Sequence, residues 1–341
     1  MAQYPKTMIA SSIALALGLA GCGGGGSSIA STPPPPLAPT PSPTPTPSAA
    51  SIGAPARAIA PNASLFPLAA TGGPTIQSHS STVFPLLETV VKINSAGAVA
   101  DAATMNAGAS LKFSSAPDDY QIDIGNPAVG ISNQPLALDW CGYCAAVGNE
   151  HVYVHVADPA TSNLTWTTYG TWGVHVDVGA PSTTSAAFVT GYKTPTGSIP
   201  TTGSATYLGS VVGKVIHPGA GQENGIATAD LSGNASLQAN FASGSVTGSL
   251  TNMMAGSLPW NSVSLLGAIS GGQFTGTSAA TSAPANSGSL SAAATGTFAG
   301  MFFGPNAQEL GAVWTLYDGT SSAVGSIGAK NDPACSGCWD Y

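Results

Sequence analysis

The feature that most constrains this chain is a set of short segments between Leu231 and Lys330 in which apolar and polar residues alternate with a period of two. Leu237, Ala239 and Phe241 alternate with Ser236, Gln238 and Asn240, and Val246, Gly248 and Leu250 alternate with Ser245, Thr247, Ser249 and Thr251. Val263, Leu265, Gly267 and Ile269 continue the pattern, as do Phe298, Gly300 and Phe302. Successive side chains of a strand point to opposite faces, so this period predicts strands with one buried and one wet face. Gly-, Asn- and Ser-rich punctuation separates them, for instance Leu231-Ser232-Gly233-Asn234 and Ser270-Gly271-Gly272. Short strands at this spacing predict an antiparallel barrel or sandwich. No helical pattern supplies the crossovers that a parallel sheet needs.

The chain ahead of these segments changes character twice. Residues 1–22 read as an export signal, with Lys6 in its positive start and an apolar run from Met8 to Leu19. That run is too short to span a bilayer. Its end, Leu19-Ala20-Gly21-Cys22, resembles the bacterial lipobox, which implies acylation of Cys22 by palmitate-type chains and a new N-terminus there. Several acyl chains would anchor firmly, at about 0.8 kcal/mol per buried methylene. Gly23 follows in place of the Asp that marks retention at the inner membrane, so the expected destination is the bacterial outer membrane. Residues 23–61 read as a tether. The Gly23–Ser28 run is flexible, and Pro33–Pro36 and Thr40–Pro47 favour extended polyproline at about 3.1 Å per residue. Such a composition buries no core, so it acts as a spacer.

Residues 62–190 predict a second, sheet-rich region. His151–Val156 and Gly173–Val178 alternate cleanly, Leu111–Phe113 and Tyr120–Ile124 read as shorter strands, and Thr165–Tyr169 as a separate one. Val83–Val99 has no clean period. Charged residues make up only 6% of the chain. Removing Lys6 with the signal leaves six basic against fifteen acidic residues, a net of −9. Nucleic-acid binding wants a basic patch and is therefore excluded, and highly anionic ligands are disfavoured.

Three stretches carry a resemblance: Phe241–Asn252 (FASGSVTGSLTN), Phe302–Gly311 (FFGPNAQELG) and Val324–Lys330 (VGSIGAK). With Gly191–Pro195 and Pro200–Tyr207 upstream, they resemble the barrel signature of transferrin-binding-protein-B-like surface lipoproteins. The resemblance implies a mostly β fold: a sheet-rich N-terminal handle domain at 62–190, then an eight-stranded antiparallel β-barrel at 191–330, with 331–341 as a tail. It implies a non-enzymatic, lipid-anchored, surface-exposed receptor. Members of that family capture transferrin, haem, haem-carrying host proteins or complement regulators. Expected partners are thus a host or environmental protein, haem or another iron ligand, together with an outer-membrane transporter. No cofactor is expected other than haem as a captured ligand. A structural or adhesive surface protein without a small ligand is the other non-enzymatic reading.

Candidate chemistry outside the barrel lies in cysteines and histidines. Cys22 aside, the cysteines form two CxxC pairs, Cys141/Cys144 and Cys335/Cys338. In an exported protein an even remainder reads as disulfides, either local or between the two pairs. A thiol oxidoreductase or a metal-handling protein is the alternative. Redox enzymes, however, place CxxC at a helix start, and here a short Gly-containing segment runs straight into a strand. Cys141-x2-Cys144-x6-His151-x3-His155 has zinc-type residues in order, but with a short Cys-to-His spacing. His151, Tyr153 and His155 share one strand face opposite Val152, Val154 and Val156, and His175 lies in a neighbouring strand. They read as a solvated face over a valine core, or as haem or metal ligands, since imidazole and phenolate both bind iron. The loops Pro218–Asn224 and Leu258–Asn261 are candidate contact sites, with Trp260 as an exposed aromatic anchor or as packing at a strand start. Within the barrel no nucleophile–base–acid set is visible. His217 reads as a loop histidine, Glu309 and Asp318 as isolated carboxylates. Gly304-Pro305-Asn306 reads as a turn leading into one helical turn at Ala307–Leu310 that closes the barrel. Phe298, Phe302, Trp314 and Leu316 are assigned to the barrel interior.

Overall fold

The structure, a computed structural model, describes residues 83–92, 104–106, 110–113, 120–123, 134–139, 142–147, 150–157, 162, 164–176, 184–218 and 226–331. Nine strands come from the C-terminal part: β11 (Ser204–Pro218), β12 (Ile226–Asn240), β13 (Ser245–Ala255), β14 (Leu258–Pro259), β15 (Val263–Ser270), β16 (Gln273–Ala280), β17 (Thr295–Phe303), β18 (Glu309–Tyr317) and β19 (Ser322–Lys330). β14 is a two-residue appendage of β13. The other eight run β11-β12-β13-β15-β16-β17-β18-β19, each antiparallel to the next, and β19 pairs back onto β11. That pairing closes the barrel and leaves its long strands without a free edge. The expected eight-stranded barrel is therefore present.

The alternation reaches the interior as predicted. Leu237, Val246, Leu265, Phe298, Trp314 and Ile327 belong to one core cluster. Several inward positions are glycines, and the reason lies across the ladder. Gly300 pairs with Phe274, Gly276 with Phe298, and Gly325 with Trp314. In each pair a Cβ on the glycine would collide with the aromatic ring. A narrow barrel thus fits its large rings by setting each beside a residue with no side chain. At one end Phe274 and Phe241 lie 5.4 and 5.3 Å from Phe302, ring centre to ring centre, and Tyr207 donates to the Ala307 carbonyl at 2.7 Å. Each such fully buried ring contributes about 1.5–3 kcal/mol.

Among the described residues ten strands precede the barrel: β1 (Val83–Pro85), β2 (Leu87–Lys92), β3 (Thr104–Asn106), β4 (Ser110–Phe113), β5 (Tyr120–Asp123), β6 (Gln134–Asp139), β7 (Gly142–Val147), β8 (Glu150–Val156), β9 (Thr167–Val176) and β10 (Thr184–Gly191). They form one antiparallel sheet in the order β1-β4-β5-β6-β7-β8-β9-β10-β2-β3. This handle sheet and the barrel belong to one compact unit. One face of β2, β9 and β10 packs against the outside of the barrel wall made by β11, β18 and β19. Val91 and Ala187 cluster with Ile216 and Val324. Tyr169 and Val189 cluster with Met301, Phe303 and Val313. Ser326 Oγ donates to the Gly170 carbonyl at 2.9 Å, and the Tyr169 and Ser210 hydroxyls bond at 2.5 Å.

Burial on both faces explains where the sequence pattern failed. Glu88, Thr89, Val90 and Val91 of β2 are all buried, so the strand inside Val83–Val99 carries no wet face and no alternation. Of the two expected strands, Thr165–Tyr169 and Gly173–Val178, residues 167–169 and 173–176 are parts of the single strand β9, continuous through Gly170; Thr165 and Trp166 bend into it, and 177–178 lie outside the described residues. The helical turn expected at Ala307–Leu310 is absent. A turn at 304–307 leads directly into β18, with Ala307 in the left-handed region at φ 56°.

Close approach of the two layers rests on Gly311 and Gly328, where a Cβ would strike Val189 and the Tyr169 ring respectively. Gly328→Val is expected to cost about 1–3 kcal/mol through overpacking. Thr247→Val, on the exposed outer wall away from the handle, should stay within about 0.5 kcal/mol. Urea denaturation of both variants checks this, and equal costs would contradict the packing described.

Candidate functional site

The seam between handle and barrel brings polar and aromatic side chains of the two layers together. β8 alternates as expected: Val152 and Val154 are fully buried on one face, while Tyr153 is half-buried and His155 exposed on the other. In the β8–β9 register His151 stands opposite His175, Tyr153 opposite Gly173 and His155 opposite Thr171. Gly173 leaves room for the Tyr153 ring, which a Cβ there would strike. The same sheet face meets the barrel, and Lys214 of β11 sets its ammonium 5.2 Å from the centre of the Tyr153 ring. Such a cation–ring contact is worth about 0.5–1 kcal/mol at an exposed site. Lys214 Nζ also lies 2.6 Å from Asp230 Oδ1, its direct cross-strand partner on β12. The lysine is largely covered, whereas the Asp230 side chain is 76% exposed. Tyr153 and His155 rings are 5.8 Å apart.

The result is a mixed patch: an aromatic ring, an imidazole, a sheltered cation and an outward carboxylate. Loss of water around its ring, and then the nearby Lys214, hold the His155 pKa below the usual imidazole value, with Asp230 opposing them. His155 is therefore mainly neutral at pH 7 and can both donate and accept. The arrangement suits recognition of a polar protein surface through hydrogen bonds and ring contact. Lys214 and Asp230 were not anticipated from the sequence, because 16 residues and a full hairpin separate them.

His151 and His155, expected to act together, are separated along β8. Four residues of strand span about 13 Å, and the two have different partners on β9. Cys144 lies in β7 opposite Tyr153 and Ala137. Cys22, Cys141, Cys335 and Cys338 lie outside the described residues. Among the described residues no three His, Cys, Asp or Glu side chains gather as a metal site.

Trp260, read as either a surface anchor or packing at a strand start, is an interior residue. It is 2% exposed and packs 6.0 Å from Trp314, ring to ring. Its amide donates to Met253 at 2.7 Å, which turns the chain inward just after β14. Asn261 is also buried and fastens the 281–294 loop, donating to the Ser282 and Leu290 carbonyls at 2.6 and 2.9 Å and accepting from Leu290 N–H at 2.8 Å. Leu290, carried by that loop, joins the barrel core. The segment 258–261 thus closes a barrel end, with Leu258 and Pro259 exposed and Trp260 and Asn261 buried. His217 sits within β11, not in a loop. Its ring nitrogens bond Ser321 Oγ at 2.9 Å and the Gly288 carbonyl at 3.1 Å. Asp318 accepts from the amides of Ser291, Thr320 and Ser321, which hold its pKa low and order the turn. Residues 219–225 of the other expected contact loop lie outside the described residues.

Glu309 differs most from expectation. It is 1% exposed, and its two carboxyl oxygens accept from the Thr165 and Trp166 amides at 2.6 and 2.8 Å. It therefore ties the start of β18 to the chain entering β9. Burial pushes its pKa up to about 7, and the two amides and Lys330 pull it back only in part. No signal in the sequence marks this role beyond a carboxylate set among apolar residues.

Because the folded-state pKa lies above the ordinary value of 4.5, the folded protein holds this proton where the unfolded chain has released it. Stability should fall as pH rises from about 4.5 to about 7, by about 3 kcal/mol. In Glu309→Gln that segment of the pH–stability curve should flatten, as read from urea midpoints between pH 4.5 and 7.5. For the seam, Lys214→Met should raise the His155 pKa towards 6.5 and Asp230→Asn should lower it. NMR titration of the imidazole signals checks both signs.

Residues 199–331 match the model for the C-lobe and N-lobe β-barrels of transferrin-binding protein B. Among solved structures the chain is similar to intact Ap-TbpB with its N and C lobes, at 19% identity, over 72% of this chain and 46% of that one, with a TM-score of 0.45. It is similar to isotype 1 transferrin-binding protein B from serogroup B Neisseria meningitidis, at 18% identity over 72% and 44%, with a TM-score of 0.41. It is also similar to the N-lobe domain of lactoferrin-binding protein B of Moraxella bovis, at 16% identity over 57% and 90%, with a TM-score of 0.36. The chain spans less than half the length of the first two. No curated protein matches the sequence. At residues 199–331 the chain carries a β-barrel of the transferrin-binding protein B type.

Proposed function

We propose that this protein is a lipid-anchored surface receptor of the bacterial outer membrane that captures a host or environmental iron-carrying ligand without chemical turnover. The observation that carries the reading is the match of residues 199–331 to the barrels of a protein named for binding transferrin. The lipobox at Cys22 and the Gly/Pro tether at 23–61 support it. A flexible spacer of this length lets the folded part search a volume above the membrane and hand cargo to a transporter. The filled barrel interior directs recognition to the outside, and the Tyr153–His155–Lys214–Asp230 patch is the contact surface we favour. Iron-loaded transferrin-like proteins and haem are the ligand classes to test.

A thiol oxidoreductase centred on Cys141 and Cys144 is less well supported. Residues 142–147 form a strand, and a strand supplies no helix N-terminus to lower a thiol pKa.

The purified full chain, immobilised through its acylated end, is titrated with iron-loaded transferrin, iron-loaded lactoferrin and haem. Saturable binding by at least one is expected, weakened about tenfold or more by Tyr153→Ala combined with Asp230→Lys. No saturable binding by any of the three would favour a structural or adhesive role instead. For the anchor, Cys22→Ala should abolish palmitate labelling and move the protein out of the membrane fraction. Retention in that fraction would overturn the lipid-anchor assignment.

A further inference from the structure

We propose that the outer barrel wall made by β12, β13, β15, β16 and β17 up to Thr297 is a self-association surface, through which two copies of this chain pair about a two-fold axis. Residues 231–308 contain no Asp, Glu, Lys, Arg or His. They supply β13, β15, β16 and β17 whole, and β12 from Leu231 onward. The handle packs elsewhere, on β11, β18, β19 and the end of β17. Register lays one row across the free wall: Gln238, Thr247, Leu266, Thr277 and Thr297, each the direct partner of the next. All five are exposed. Leu266, at the centre of the row, is 63% exposed, the most of any large apolar side chain among the described residues.

Charge selects the occupant. The chain carries a net charge of −8, so copies that approach by their charged faces repel each other. This wall holds none of that charge. A charged partner would lose hydration against it and find no counter-charge. A second copy has no such cost. In a two-fold contact a patch meets its own image, so a charged side chain near the axis would face its own sign. A hydroxyl or an amide both donates and accepts, and leucine packs on leucine, so each side chain of the row suits its own copy. Depletion of charge around an apolar centre is also the composition of an interface core. A wall of five strands about 4.8 Å apart and about 20 Å long offers on the order of 500 Å² per copy, the lower end of specific contacts. The dimer is therefore weak and reversible. The receptor reading is not required for this surface, and a failure to bind iron carriers would leave it standing.

Sedimentation velocity of the full chain in an excess of detergent micelles, from about 1 µM to about 1 mM, tests the surface. A concentration-dependent monomer–dimer equilibrium is expected. Leu266→Asp, which sets like charges at the axis, should weaken it about tenfold or more. Leu258→Asp, at the exposed leucine of the barrel end, should leave it unchanged. Far-UV circular dichroism confirms that both variants fold. Added salt should not weaken the dimer, because no ion pair holds it. A photo-crosslinking side chain in place of Leu266, activated on intact cells, should give a product of twice the chain mass. A monomer throughout, a dimer indifferent to Leu266→Asp, equal loss in Leu258→Asp, or a crosslink chiefly to a different protein would overturn the proposal.

Discussion

The burial of β18 and β19 on both faces is the constraint on which the rest of this structure depends. An ordinary barrel wall is apolar inside and wet outside, and β12, β13 and β15 follow that rule. β18 and β19 instead serve two cores at once. Leu310, Ala312, Trp314 and Leu316 fill the barrel, while Val313 and Val324 pack against the handle sheet. Removing the handle would expose apolar wall, and opening the barrel would remove the surface on which the handle rests. The two sheets are therefore expected to fold as one cooperative unit, although each has the composition of a separate layer.

The wall itself was readable in the sequence wherever one face stays wet. Leu237-x-Phe241, Val246-x-Leu250 and Val263-x-Ile269 announced strands because water requires Ser, Thr and Asn at the intervening positions. β2 could not be read, because Glu88, Thr89, Val90 and Val91 all lie inside and no wet face imposes a period. The inward glycines were legible as strand positions but not as partners of rings, since that role is fixed by a residue on the next strand. Gly325 has meaning only beside Trp314.

The same limit governs the candidate site. Alternation places His151, Tyr153 and His155 on one face, and on sequence alone they form one group. Cross-strand register divides them. His155 and Tyr153 meet Lys214 and Asp230 at the barrel, whereas His151 is opposite His175 at the other end of β8. Of the two readings the sequence leaves open for Trp260, surface anchor or packing at a strand start, the structure shows packing. An aromatic beside Pro259 in a turn-rich stretch looks like a surface anchor, yet a narrow barrel end needs a large ring to close it, and Trp314 supplies the contact. Burial at a barrel mouth is a property of the closed shape, not of the local sequence.

A filled interior also decides where a protein of this build can act. With rings stacked against glycines along its length and the 281–294 loop held over one end by Asn261, the barrel serves as a rigid platform. In the receptor reading proposed above, recognition uses what the platform holds still on its outside. The seam meets that requirement, because its groups come from both layers and are fixed by the packing between them. Tyr153 is positioned by Gly173 from the handle and by Lys214 from the barrel, so its orientation is defined only when both sheets are in place. Glu309 strengthens the dependence by binding the two amides that lead into β9. A buried carboxylate held at so high a pKa opposes stability near neutral pH. Its position at the entry to β9 shows what offsets that cost: the amides of Thr165 and Trp166 find partners where the chain leaves solvent, and the strand bearing Gly173 and His175 is set in register against the barrel.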